Sequence, residues 1–285
     1  MTRLLEEPNP YRLGTLALSG SIAAEDLAGS CLLHNARFLL EAAAREPIIA
    51  TKTLGNLNRR FVGLALEGMR WPEGYIEGVR FLNKVVDEED LHRLNLLRIA
   101  LVNGGMLRRH RGAFVTTKRG RHLIEPGREG ALFLALWVAY FLETNLGYTD
   151  RMPDDPVLQF CFGSIMLAAV DAEERWVGIE ELRRYVVVGH GIWDREEYYP
   201  GGQRDSIDLA VQLRLLEPLE DFGLVEIDGE RARFIRHVRA VRATPLLRAF
   251  ATEVPVGQRH AGGTVTIASA AEEFLELRAY DTAAA

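Results

Sequence analysis

The chain has 285 residues, 48% hydrophobic and 26% charged, the composition of a folded chain with a sizeable core in one large or two small domains. Its formal net charge of −6 argues against bulk nucleic-acid binding by total charge, so the distribution of charge becomes the informative property. Cys31 and Cys161, far apart in apolar surroundings, read as buried thiols of a reducing cytosol and exclude a disulfide framework or a cysteine metal site.

"MTRLLEEPNP" has no apolar stretch after Arg3, so no secretory leader is expected, and residues 1–30 read as irregular. From Ser30, a candidate N-cap, "SCLLHNARFLLEAAARE" places Leu32, Leu33, Ala36, Leu39 and Leu40 on one helical stripe. Pro47 stops that helix, and "PIIATKT" reads as a short strand. A turn at Gly55-Asn56 leads into a second helix with Phe61, Leu64 and Ala65 as its buried face. "GYIEGVRFLNKVV" predicts a third helix, and "EEDLHRLNLLRIALVNGG" a fourth. In the fourth, Asp87 to Asp90 put negative charge where the helix dipole favours it, and Gly104-Gly105 ends the helix.

Next comes "MLRRHRGAFVTTKRGRHLI": a strand, a tight turn at "HRG", a returning strand and a helix from "KRG" onward. From Leu107 to Arg128 the chain carries six Arg and one Lys against one Glu, a local balance of +6 inside an acidic protein. "ALFLALWVAYFL" (131–142) is too short to span a bilayer, which takes about 20 residues, and reads as a core helix. "GYTDRMPDDP" is the best boundary between halves. The second half repeats the pattern: "DSIDLAVQLRLLEPLEDFG" predicts a helix, and "LVEIDGERARFIRHVRAVRATPLLRAFA" a strand, an Asp228-Gly229 turn, a strand and a helix. Thr116 or Thr117 in the first copy corresponds to Thr244 in the second. A short strand "TVTIA" and a helix "AAEEFLELRAY" are expected in the tail.

Gly105, Met106, Leu107, Gly112, Thr117, Gly120 and Arg121 form a G-h-h-x-x-x-x-G…T-x-x-G-R frame that resembles the wing of the winged helix-turn-helix superfamily. "TKTLGNLNRRFV" with "YTDRMPDDPVLQ" resembles a group of uncharacterised bacterial proteins of this architecture. The resemblance implies a mainly α fold with small β-hairpin wings: two winged-helix modules at 31–127 and 173–254, joined by a helical linker at 128–172. Residues 1–30 and 255–285 would flank them as an irregular segment and a tail. Pro245-Leu246-Leu247 stands where the first copy has Gly120, and the second wing is longer.

The implied function is nucleic-acid binding, DNA above all, by a regulatory or accessory protein whose wings meet phosphates. The residues expected to do so are Arg108, Arg109, Arg111, Lys118, Arg119 and Arg121, with Arg231 and Arg233 from the second wing. By strand alternation Arg109 and Arg111 share a face, and the second wing forms a further basic surface of about +4. The bland alternative is a solvated hairpin, or one paired with acidic surface such as "DEED". The helix before the wing offers His92, Arg93, Asn95, Arg98 and Asn103 to base edges. Its acidic start, Glu88 to Asp90, would repel phosphates. "GNLNRRFV" reads as an anion seat or, more simply, a turn in which Asn56 or Asn58 caps a helix.

"HGIWDREEYYPGG" (190–202) carries His190, Asp194, Glu196 and Glu197 with nothing to hold them on one face, and Trp193, Tyr198 and Tyr199 suit a partner surface. No nucleotide-loop, nucleophile-elbow or metalloprotease motif is present, and the seven histidines lack ligand spacing. The expectation is therefore a non-enzyme without cofactor or metal, cytoplasmic, with no membrane partner. Its partner is double-stranded DNA or, alternatively, another protein bound by a winged-helix scaffold. A homodimer through 129–143 is compatible with either.

Overall fold

The computed structural model describes residues 15–148, 158–159, 161–182, 208–232, 235–254 and 265–266. The aromatic loop 190–202, Arg233 and the tail helix expected at 270–280 lie outside the described residues. The chain is mainly helical with three small antiparallel sheets. In chain order the elements are β1 (Thr15–Leu18), α1 (Ala24–Leu27), α2 (Cys31–Arg45), β2 (Ile48–Ile49), α3 (Arg59–Gly68) and α4 (Tyr75–Leu82). A 3-10 turn (Glu88–Asp90) precedes α5 (His92–Asn103), the hairpin β3 (Leu107–His110) and β4 (Ala113–Thr116), α6 (Lys118–Leu123) and α7 (Glu129–Phe141). Then follow α8 (Phe162–Asp171), β5 (Val177–Gly178), a π-helical segment (Gln212–Leu216), α9 (Glu217–Asp221), β6 (Val225–Ala232), β7 (Ile235–Ala243), α10 (Pro245–Phe250), β8 (Ala251–Val254) and β9 (Val265–Thr266). Among the described residues no helix is long and apolar enough to cross a membrane.

The chain divides into two compact units, one of 21–144 with 231–235, the other of 1–20, 145–230 and 236–285. In the first, α2 begins at Ser30, whose side chain accepts from the Leu33 amide, as a cap must. Its apolar stripe (Leu32, Leu33, Ala36, Leu39, Leu40, Ala43) is buried. The stripe packs with α5 and with α7, where Leu132, Phe133, Leu136, Trp137 and Phe141 are fully covered. Each such side chain contributes about 1.5–3 kcal/mol through removal from water. Arg37 of α2 also reaches Glu129 of α7 at 2.8 Å. β2, β4 and β3 form one sheet in that order, with Ile48 opposite Phe114 and Arg109 opposite Phe114 on its other side. Thr116 Oγ1 donates to the Leu40 carbonyl at 2.6 Å, fixing the sheet to α2.

The second unit repeats one junction in detail. Gly105 and Gly223 both have positive φ, +63° and +80°. The next amides, Met106 and Leu224, donate back to Leu101 and Leu219. Thr117 Oγ1 donates to the Gly105 and Met106 carbonyls and accepts from the Gly120 amide. Thr244 Oγ1 makes the same three bonds with Gly223, Leu224 and Leu247. Of the two threonines in the first copy, the capping one is Thr117. The strand orders match as well: β5-β7-β6 is the counterpart of β2-β4-β3, a short early strand pairing with the returning strand of a hairpin.

Several expectations fail for identifiable reasons. Residues 1–30 are not irregular throughout, because β1 pairs with β8 from Thr15↔Val254 to Leu18↔Ala251, and α1 follows. The same pairing turns Ala251 into strand, where helix was expected. Leu64 of α3 is 50% exposed, and the buried face is Phe61, Val62 and Ala65. The helix expected from Glu88 starts as a 3-10 turn and becomes α-helical at His92. Asp228-Gly229 is not a turn but lies inside β6. A methyl on Gly229 would overlap the His237 carbonyl, so close strand approach, not turn geometry, accounts for the glycine. The helix through 212–221 is π-wound before Pro218, which has no amide proton to donate to the Arg214 carbonyl. Cys161 is buried as expected, whereas Cys31 is only partly so.

Candidate functional site

The basic segment folds as a two-residue hairpin. His110 pairs with Ala113, leaving Arg111 and Gly112 as the turn, with φ +49° and +78°. Positive φ at both central residues is the type I′ signature, whose twist suits the flanking strands. Arg111 therefore belongs to the turn, and strand alternation does not put it on a face with Arg109. Alternation does put Arg108 and His110 on one face, with Arg109 on the other beside Leu107, Phe114 and Thr116. The Arg109 guanidinium lies against Gly55, where a methyl would overlap it. Behind the hairpin, α6 carries Lys118, Arg119 and Arg121.

All six of these cations are exposed. Arg108, Arg109, Arg111, Lys118 and Arg121 make no ion pair among the described residues. Arg119 faces Glu143. That residue is exposed as a whole, yet the atoms crowded round its carboxyl push its pKa up, against the pull of Arg119.

The acidic run is already occupied. The Glu88 carboxylate is fully buried, accepts from the Leu57 amide, and takes Arg98 Nε at 2.5 Å and Asn95 Nδ2 at 3.1 Å. Asp87 holds Arg59 through two bonds, at 2.6 and 2.9 Å. That hydrogen-bonded pairing keeps the Asp87 carboxyl below its ordinary range, against a smaller effect of burial. Glu89 accepts from Asn56 Nδ2 at 3.1 Å, and Asp90 accepts from the Asp87 amide. The expected repulsive cluster is thus largely spent inside the unit. At 55–62 the simpler expectation holds: Asn58 caps α3 by accepting from Phe61 N, and Arg59 is paired with Asp87.

In the second hairpin the three arginines whose side chains are described are each paired with an acid. Arg236 pairs with Glu220 at 2.6 Å, Arg239 with Asp228 and Glu230 at 3.0 Å each, and Arg242 with Glu226. These cross-strand and strand-to-helix acids were visible in the sequence, but their register was not. Arg231 is within β6 by backbone, its side chain lying outside the description as Arg233 does. Among the described residues no cluster of His, Cys, Asp or Glu is placed to hold a metal ion.

The model of the Y4jL N-terminal domain family matches residues 28–129, just over a third of the chain, from the start of α2 to that of α7. No curated protein and no solved structure matches the chain.

Proposed function

We propose that the chain is a non-enzymatic nucleic-acid-binding protein, regulatory or accessory, built from two winged-helix modules and meeting duplex DNA through the first of them. The module reading is supported by the order helix, short strand, helices, hairpin in each unit, and by the shared strand order. The observation that carries the functional reading is the contrast between the hairpins. Five of the six cations on the first hairpin and α6 lack an ion pair among the described residues, whereas the second hairpin's described arginines, Arg236, Arg239 and Arg242, are each neutralised. Unpaired exposed guanidinium and ammonium groups are what a phosphate backbone displaces counterions with. The test is duplex binding by fluorescence anisotropy at about 50 mM salt, with and without Arg108→Ala and Arg111→Ala. Weaker binding by the double variant is expected; equal binding sinks the reading.

A second reading, a protein-interaction scaffold, is favoured by Phe81, Leu82 and Val85, which are 57–66% exposed at the end of α4 and just beyond. It expects self-association or a nuclease-resistant partner that is lost with Phe81→Ser and Leu82→Ser.

A further inference from the structure

We infer that this surface recognises the charge of a duplex backbone and reads no base sequence. The inference rests on the phosphate-binding reading above and adds the class of ligand it selects.

The helix just before the hairpin is where a winged-helix module would place base-reading side chains, and α5 has almost none to offer. Of its twelve residues, Leu94, Leu96, Leu97, Ala100 and Leu101 are buried, and Asn103 is the exposed one. The side chains able to grip base edges bidentately are engaged within the unit. Arg98, 13% exposed, is held by Glu88 and lies over the Phe114 ring at 5.4 Å. Asn95 donates to the same carboxylate. Asn103 Nδ2 donates to the Glu143 carbonyl and to Thr144 Oγ1. The Arg93 guanidinium covers the Tyr75 ring at 5.4 Å. Turning Arg98 or Asn95 toward a groove would strip partners from a carboxylate with no access to water, so neither is available as a reader.

The basic segment has the complementary character. Adenine is read by Asn or Gln, and 107–121 contains neither. Its two hydroxyls nearest α6 are committed, Thr116 to the Leu40 carbonyl and Thr117 to the junction with Gly105 and Met106. What remains is Arg, Lys and His110, spread over a strand, a turn and a helix. Guanine readout by Arg needs a fork held in one geometry by supporting partners. Among the described residues, Arg108, Arg111, Lys118 and Arg121 have no hydrogen bond or ion pair to hold them so. Long unpaired cations on three carriers match the repeating charge of a backbone, which tolerates many geometries.

The experiment uses the full chain and a pool of randomised duplexes, retained on the protein at low salt through several rounds and sequenced. The expected result is retention without enrichment of any motif, and dissociation constants within about twofold for three unrelated duplexes. Asn103→Ala is expected to bind as wild type does. An enriched motif with tenfold preference, or a tenfold loss in Asn103→Ala, overturns the inference and leaves the DNA-binding reading standing. Retention of no duplex overturns both.

Discussion

Glu88 is a charge with no water around it, held by Arg98, Asn95 and the Leu57 amide. Removing one side of such a pair leaves the other buried and unmatched, which costs about 3–5 kcal/mol. Glu88→Ala is expected to lower the urea-unfolding free energy by that amount, and a loss below about 1 kcal/mol would show the pair to be dispensable. Asp87 behaves differently because it is half exposed. Its carboxyl pKa is depressed by Arg59, so its contribution is present above the ordinary carboxylate value near 3.8 and is lost as pH falls through the depressed folded value. The stability gap between wild type and Asp87→Asn should therefore narrow toward zero below pH about 4, by less than about 1 kcal/mol in all. A gap that widens with acid would reverse the assigned sign. At this scale the sequence reveals residue types but not partners. "DEED" looked repulsive because Arg59 and Arg98 reach it from 28 and 10 positions away.

At the scale of elements, local signals were legible and long-range ones were not. Ser30, Asn58 and Thr117 cap the helices that follow them, because capping needs only the next turn of chain. Gly112 was legible as a turn for the same reason. The β1–β8 pairing joins residues more than 230 positions apart, and four-residue strands carry too little pattern to announce it. Asp228-Gly229 misled because a turn dipeptide and a close strand approach both call for glycine. The first hairpin yields two contrasting substitutions. Gly112→Ala forces a side chain into the left-handed region, at about 1–2 kcal/mol, and should lower Tm. Arg111→Asn suits the type I′ turn better than Arg, so Tm should hold or rise while duplex binding weakens. A fall in both would mean that the loss of binding reports damage to the hairpin.

For the whole molecule, one junction recurs, at Gly105–Thr117 and at Gly223–Thr244, beside hairpins whose described arginines are unpaired in the first and paired in the second. The repeat was legible as a frame of glycine, apolar pair and threonine. The difference was not, because both hairpins are arginine-rich and only register decides that Arg239 meets Asp228 and Glu230 while Arg108 has no ion pair among the described residues. The net charge of −6 thus coexists with an exposed basic surface on the first hairpin and α6. The most direct measurement is the dissociation constant of the full chain for a duplex across about 50–200 mM salt. With the five unpaired cations each neutralising one phosphate, log K should fall with log salt at a slope of about −4 to −5, shallower by about 2 in the Arg108→Ala, Arg111→Ala variant. No binding at the lowest salt, or a slope unchanged by the two substitutions, would contradict it.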